Sequence, residues 1–275
     1  MQYDPIKRSL GTVFNRTPFL RKLFYHLLDL LFLRAWYVHR ELKAWARTAN
    51  DDATILDAGA GFGQYVYFLS RLHPHWKILA VDVKAEQVED CNRFFQAIGK
   101  SNIQFKTADL TTFCEPNTFD LVLSIDVMEH ILDDVQVFKN FFASMKAGGL
   151  LLISTPSDKG GSDACHDHNH NNAHLHGFID EHVRDGYNLE DIRQKLASAG
   201  FARIEAYYTY GKPGSIAWRL SVKYPIQLLG ISQAFFIFLP FYYMVVYPIA
   251  FVLNYLDTKM VHSSGTGLLV KAWKN

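Results

Sequence analysis

The sequence predicts an α/β protein: a largely parallel sheet with helices on both faces. Three observations point there. Between Ala53 and Gly200, short apolar runs alternate with amphipathic stretches of helical period, the pattern of strands covered on both sides. A glycine-rich turn, DAGAGFG from Asp57 to Gly63, stands where the first apolar run gives way to the first helix. Acids also close successive strands, in AVDV, ADL and SIDV, which gathers carboxylates along one edge of the sheet.

Taken in order, TILDAG reads as a buried strand and GQYVYFLSRL as the helix after it. KILAVDV is a second strand, followed by a helix through AEQVEDCNRFFQAIG. IQFKTADL and FDLVLSIDV are the third and fourth strands, and a helix through DVQVFKNFFASMKA leads to a fifth, LLLISTP. Asn188 caps a helix through LEDIRQKLASA that Gly200 closes. ARIEAYYTY and TGLLVKAW complete a sheet of seven strands.

A chain of 275 residues suits one large domain with additions. The spacing divides it into an N-terminal amphipathic helical cap (1–50), an α/β core (51–210), an apolar helical insertion (211–265) and the last core strand (266–275). Lys and Arg total 28 against 27 Asp and Glu, too balanced to offer duplex nucleic acid a cationic surface, so no nucleic-acid partner is expected. Cys91, Cys114 and Cys165 are an odd set at spacings that suggest no disulfide framework, which fits a reducing cytoplasm. The apolar run Leu27 to Leu33 is broken by Asp29 and runs into RAWYVHRELK, so no secretory signal is expected.

Glycines at a strand-to-helix turn let a ligand approach the backbone and bring helix N-terminal amides to its polar end. The plainer reading is a tight turn that needs glycine for its dihedrals. A dinucleotide site would require G-x-G-x-x-G, but Gln64 stands three residues after Gly61, which argues against a pyrophosphate-binding dehydrogenase.

The acid-x-Gly-x-Gly-x-Gly pattern, followed in order by AVDV, ADL, FDLVLSIDVMEHI and MKAGGLLLISTP, resembles the class I S-adenosylmethionine-dependent methyltransferases. The likeness runs from about Ala53 to Phe201 and resumes at the last strand, and it is similar to the ubiquinone-biosynthesis type of small-molecule methyltransferase. It implies a Rossmann-like seven-stranded sheet and S-adenosyl-L-methionine as cofactor. It also implies that Gly59, Gly61 and Gly63 lie against the methionine part, with Asp57 organising the loop. Asp82, with Val83, would take the ribose hydroxyls; Asp109 and Leu110 would hold the adenine; Ser124, Ile125 and Asp126 would line the methionine side. For Asp82 and Asp109 the alternative is an ordinary solvated strand end.

Methyl transfer asks a protein mainly for in-line positioning and water exclusion, and for a base when the acceptor is a phenol or enol. His130 in DVMEHI is one candidate base. If that turn were helical, Asp126, Glu129 and His130 would share a face and offer a divalent-metal set, while the plain reading has Glu129 and His130 capping the turn. Positions 157–187, including CHDHNHNNAHLHGFIDEHVRDGY, form a connection far longer than the fold requires and read as a lid over the acceptor. His166, His168, His170, His174, His176 and His182 invite a zinc reading, but H-x-H-x-H lacks a second fixed pair. His182 is the lid residue expected to touch the acceptor, with Arg184 an anchoring alternative.

The two apolar additions point to a lipophilic acceptor. Thr17 and Pro18 begin a helix whose Leu20, Leu23, Phe24, Leu27, Leu28, Leu31, Ala35, Val38, Leu42 and Trp45 repeat at helical spacing among seven cations. Such a helix lies in an anionic membrane interface or caps the cofactor, and the two are compatible. QAFFIFLPFYYMVVYPIAFVL, Gln233 to Leu253, has the length of a membrane span, interrupted by Pro240 and Pro248. Because it falls between the last two strands, a single crossing would strand the final one across the bilayer. A shallow, proline-broken re-entrant hairpin, an apolar cap or a homodimer interface is expected instead. These readings together describe a methyltransferase, most directly an O-methyltransferase, at the cytoplasmic membrane face. A metal-assisted enzyme and a non-catalytic scaffold are the alternatives.

Overall fold

A computed structural model describes residues 17–159, 183, 184 and 186–275. Seven strands form one sheet in the order β3-β2-β1-β4-β5-β7-β6. These are β1 Thr54–Ala58, β2 Lys77–Asp82, β3 Ile103–Thr107, β4 Phe119–Ile125, β5 Met145–Pro156, β6 Arg203–Thr209 and β7 Gly267–Trp273. The first five are parallel, and β7 runs antiparallel between β5 and β6.

Alternation along the buried strands sends successive side chains to opposite faces. Ile55, Leu121, Leu123 and Leu152 face one core, and Leu56, Val122, Leu151 and Ile153 face the other. The first core is covered by α1 Pro18–Leu31, α2 Leu33–Ala46, α3 Gln64–Leu72 and α4 Ala85–Ala97. The second is covered by α5 Asp134–Ser144 and α6 Leu189–Ser198. Asn188 caps α6 by accepting from the Glu190 amide at 2.9 Å, as its position suggested.

The N-terminal segment corrects the expectation of one helix. Thr17 caps α1, its hydroxyl accepting from Leu20 N. The chain then breaks at Phe32, which is extended (φ −96°, ψ 114°), before α2 begins. The amide of Arg34, which has no partner inside a first helical turn, donates to the Tyr210 hydroxyl at 2.8 Å. A contact 176 residues away in sequence therefore supports the break.

Between β6 and β7 the chain makes a long helical excursion. α7 Lys212–Trp218, one π-helical turn Arg219–Lys223 and α8 Tyr224–Ile231 form the outgoing arm. A 3-10 turn, Gln233–Ile237, precedes the returning helix, α9 Leu239–Lys259. Neither proline interrupts α9: Pro240 occupies its first turn, where a missing N–H costs nothing, and the helix continues through Pro248. Each arm holds about 20 residues and so extends roughly 30 Å, longer than the shallow dip expected. Asp257 fixes the base. Its buried carboxylate accepts from the Tyr37 hydroxyl of α2 (2.6 Å) and from the Gly214 amide of α7 (2.8 Å), with His262 at 3.3 Å.

Candidate active site

The site forms where the C-terminal ends of β1, β2 and β4 meet the two N-terminal helices. Gly59, Gly61 and Gly63 all have positive φ, at 84°, 50° and 76°. The reasons differ. A Cβ on Gly59 would lie 2.3 Å from Val127 Cγ2, and one on Gly63 2.9 Å from Phe105 Cζ. Gly61 has nothing within 4 Å, so its bare backbone faces open space that a ligand can enter.

The loop is organised mainly from β2. The carbonyl of Val81 accepts from the Gly59 and Ala60 amides (2.8 and 3.0 Å), and Asp82 Oδ2 accepts from the Gly61 amide (2.9 Å). Asp82 Oδ1 accepts from Lys84 N at 2.9 Å. Asp57, expected to organise the loop, lies buried beneath it with Oδ2 unpartnered. Burial, reinforced by the charge of Asp82, pushes its carboxyl up to about 7.

Val83 is exposed beside Asp82. Asp109 is exposed, and its Oδ1 accepts from Thr111 N and Oγ1 (2.9 and 2.7 Å), which hold the carboxyl below its usual value. Leu110 is buried, with its carbonyl fixed by the Asn140 side-chain amide at 2.9 Å. At the end of β4, Ser124 is fully buried with an unpartnered hydroxyl, and Ile125 is buried beside it. Asp126 turns the chain at φ 53°, a conformation that Asp tolerates better than most residues.

Arg34, which sequence reasoning did not single out for the site, reaches over from α2 and pairs with the Asp126 carboxylate. Its guanidinium also lies against the buried hydroxyl of Tyr65 on α3, while its Nε has no well-formed hydrogen bond of its own. Buried polar atoms normally find partners. Here Arg34 Nε and, on the same face of the sheet, Asp57 Oδ2 lack partners, whereas the unpartnered Ser124 Oγ lies on the opposite face with Val122. The missing signal was tertiary, since Arg34 enters the cleft only because the chain breaks at Phe32.

The turn after β4 is a single 3-10 turn, Met128–His130, and it separates the three residues weighed as metal ligands. Asp126 pairs with Arg34. Glu129 is buried, accepts from Thr155 Oγ1 at 3.1 Å and has its carboxyl raised by that burial, while His130 is exposed. Among the described residues, no three His, Cys, Asp or Glu side chains converge as a metal site. His182 and the other lid histidines lie outside the described residues. Where the described chain resumes, Val183 N donates to Glu129 O at 3.0 Å, next to His130. Arg184 pairs with Asp134 and donates to Ile131 O.

A closed roof covers the glycine loop. Arg21 and Tyr25 of α1 both donate to the Phe62 carbonyl, and Arg21 also pairs with Asp90 of α4 at 2.5 Å. Gln64 donates to Asp29 at 2.7 Å.

Residues 49–200, more than half of the chain, match the model of the methyltransferase domain family. A phosphoethanolamine N-methyltransferase of Triticum aestivum is 30% identical over 154 residues, covering 55% of this chain and 28% of the relative. A ubiquinone biosynthesis O-methyltransferase of Methylocella silvestris is 32% identical over 102 residues, covering 37% and 39%. The chain thus spans well under half the length of either relative. Among solved structures, phosphoethanolamine N-methyltransferase 2 of Haemonchus contortus in complex with S-adenosyl-L-methionine superposes with a TM-score of 0.61 at 18% identity, covering 96% of this chain and 60% of that one.

Proposed function

The chain belongs to the methyltransferase domain family and is a class I enzyme using S-adenosyl-L-methionine; from that premise we propose that it methylates a lipophilic acceptor at the cytoplasmic face of a membrane. The cleft suits that cofactor on its own chemistry. The Arg34 guanidinium and the Tyr65 hydroxyl beside it complement a carboxylate, and the buried, unpartnered Asp57 oxygen complements a donor. Arg34 and Tyr65 would therefore hold the amino-acid end, along Gly59, Gly61 and Gly63. Asp82 with Val83 would take the ribose, Asp109 and Leu110 the adenine, and Ser124, Ile125 and Asp126 the methionine side. When bound, the cofactor supplies an electrophilic methyl group; the protein's share is orientation, exclusion of water by the α1 roof, and removal of the acceptor proton.

The observation that carries the acceptor class is a continuous exposed apolar surface next to that roof. On α1, Phe19, Leu23, Leu27 and Leu30 are exposed along one stripe, opposite the buried Arg21 and Tyr25 that grip the loop. Tyr247 of α9 donates to the Leu30 carbonyl at 3.2 Å, which joins the stripe to the helical excursion. A membrane docked on this surface would lie against the roof of the site.

A hydroxyl acceptor, deprotonated by His130 at the mouth, is the first reading. An amine nitrogen is the second, favoured by relatives named as phosphoethanolamine N-methyltransferases. Membrane extracts incubated with methyl-labelled cofactor test the proposal. It requires label in an organic-soluble product, and mass spectrometry of that product separates oxygen from nitrogen. Label confined to water-soluble products would refute a lipophilic acceptor.

A further inference from the structure

The excursion between β6 and β7 has the reach of one membrane leaflet. Both ends return to the same sheet edge, where Thr209 pairs in register with Gly267, so the arms cannot end on opposite sides of a bilayer. The inner half is fastened to the protein through Asp257, through buried Ala217 and Ala250, and through Trp36 against Phe251 with ring centroids 4.9 Å apart. Farther out the arms still touch: Tyr242 and Tyr243 of α9 donate to the carbonyls of Leu220 and Ser221 (2.6 and 2.7 Å).

The chain carries no charge from Tyr224 to Leu256, and its part from Tyr224 to Phe241 lies beyond that level. The eight residues of α8 past Lys223 extend about 12 Å, close to half of a hydrocarbon core of about 30 Å. The cations Arg219 and Lys223 stand at the boundary between the fastened and the uncharged halves. Phe236, Ile237 and Phe238 at the tip are 59%, 71% and 62% exposed in succession. Three consecutive exposed apolar residues point in different directions, so an apolar medium on all sides satisfies them where a single partner face does not.

We infer that the outer half of this hairpin inserts into one leaflet of an anionic bilayer, with Arg219 and Lys223 at phosphate level and the α1 stripe lying along the headgroups. The inference rests on the membrane reading of the proposed function but not on the acceptor. Lys and Arg at this depth meet lipid phosphates, while aromatic side chains such as Trp218 and Tyr224 suit the interface.

The test uses the full chain with Cys114→Ser and Cys165→Ser, and an environment-sensitive fluorophore attached in turn through Phe238→Cys, Val245→Cys or Met260→Cys. Sealed phosphatidylcholine vesicles with or without phosphatidylglycerol carry quenchers at known depths. The label at 238 should be quenched best at acyl depth, that at 245 from the headgroups, and that at 260 by aqueous iodide. Omitting phosphatidylglycerol, or making Arg219→Ala with Lys223→Ala, should weaken vesicle binding about tenfold or more. Equal iodide access at all three positions would overturn the inference. So would access at 238 to a quencher trapped inside the vesicles, or shielding at 238 without vesicles together with a doubling of mass. Phe236→Glu with Phe238→Glu should abolish insertion while cofactor binding persists, which shows that the variant folds. Insertion as described without any lipophilic methylated product would leave this inference standing and overturn the acceptor proposal alone.

Discussion

At the residue scale, the glycine loop separates two requirements that look identical in sequence. Gly59 is glycine because Val127 fills the space a side chain would need, so Gly59→Ala should destabilise the protein by about 1–3 kcal/mol in denaturant unfolding. Gly61 faces open space, so Gly61→Ala should cost only the strain of φ 50°, about 1 kcal/mol, yet weaken cofactor binding in calorimetry by tenfold or more. Equal stability losses in the two variants would refute the distinction. Asp57 offers a pH test. Its buried carboxyl holds a proton up to about 7, whereas the unfolded chain releases it near 4, so the folded state binds more protons in between. That contribution is present at low pH and is lost as pH rises through about 7. Asp57→Asn should therefore gain melting temperature relative to the parent between about pH 5 and pH 8; a difference that does not change with pH would contradict the assignment. The carboxylates and glycines were legible because each closes a strand or fills a turn. Arg34 and Tyr65 were not, because their place in the cleft depends on the break at Phe32 and on Tyr210 from the far end of the chain.

At the scale of elements, the roof and the hairpin each depend on a few polar contacts that amphipathic patterns do not announce. The α1 stripe was visible as a period, but its opposite face carries the function: buried Arg21 is bound to Tyr25, Asp90 and the Phe62 carbonyl. Arg21→Ala should loosen the roof and leave those acceptors unmatched, costing about 2–4 kcal/mol and weakening cofactor affinity, measured by thermal unfolding with and without cofactor. Asp257→Ala should detach the hairpin base and raise hydrogen exchange in α7 and the C-terminal part of α9, while the sheet strands keep their protection. Proline was the misleading signal here. Pro248 reads as a breaker, but α9 continues through it, with Tyr247 and Phe251 beside it making contacts to Leu30 and Trp36.

At the scale of the whole molecule, the alternating sheet was legible throughout because buried parallel strands must be apolar runs and their connections must be helices. The place of the insertion was legible for a topological reason, since β6 and β7 have to pair. Its length and its continuity with α1 were not legible, because the first comes from contacts between its two arms and the second from packing between segments more than 200 residues apart. The architecture then sets one cofactor cleft, one roof and one exposed apolar surface against each other. The most direct measurement is the organic-phase yield of labelled product from membrane extracts, for the parent protein and for Phe236→Glu with Phe238→Glu, each shown to bind cofactor equally. The account predicts a labelled lipophilic product from the parent and at least a tenfold lower yield from the variant. Equal yields, or label found only in water-soluble product, would contradict it.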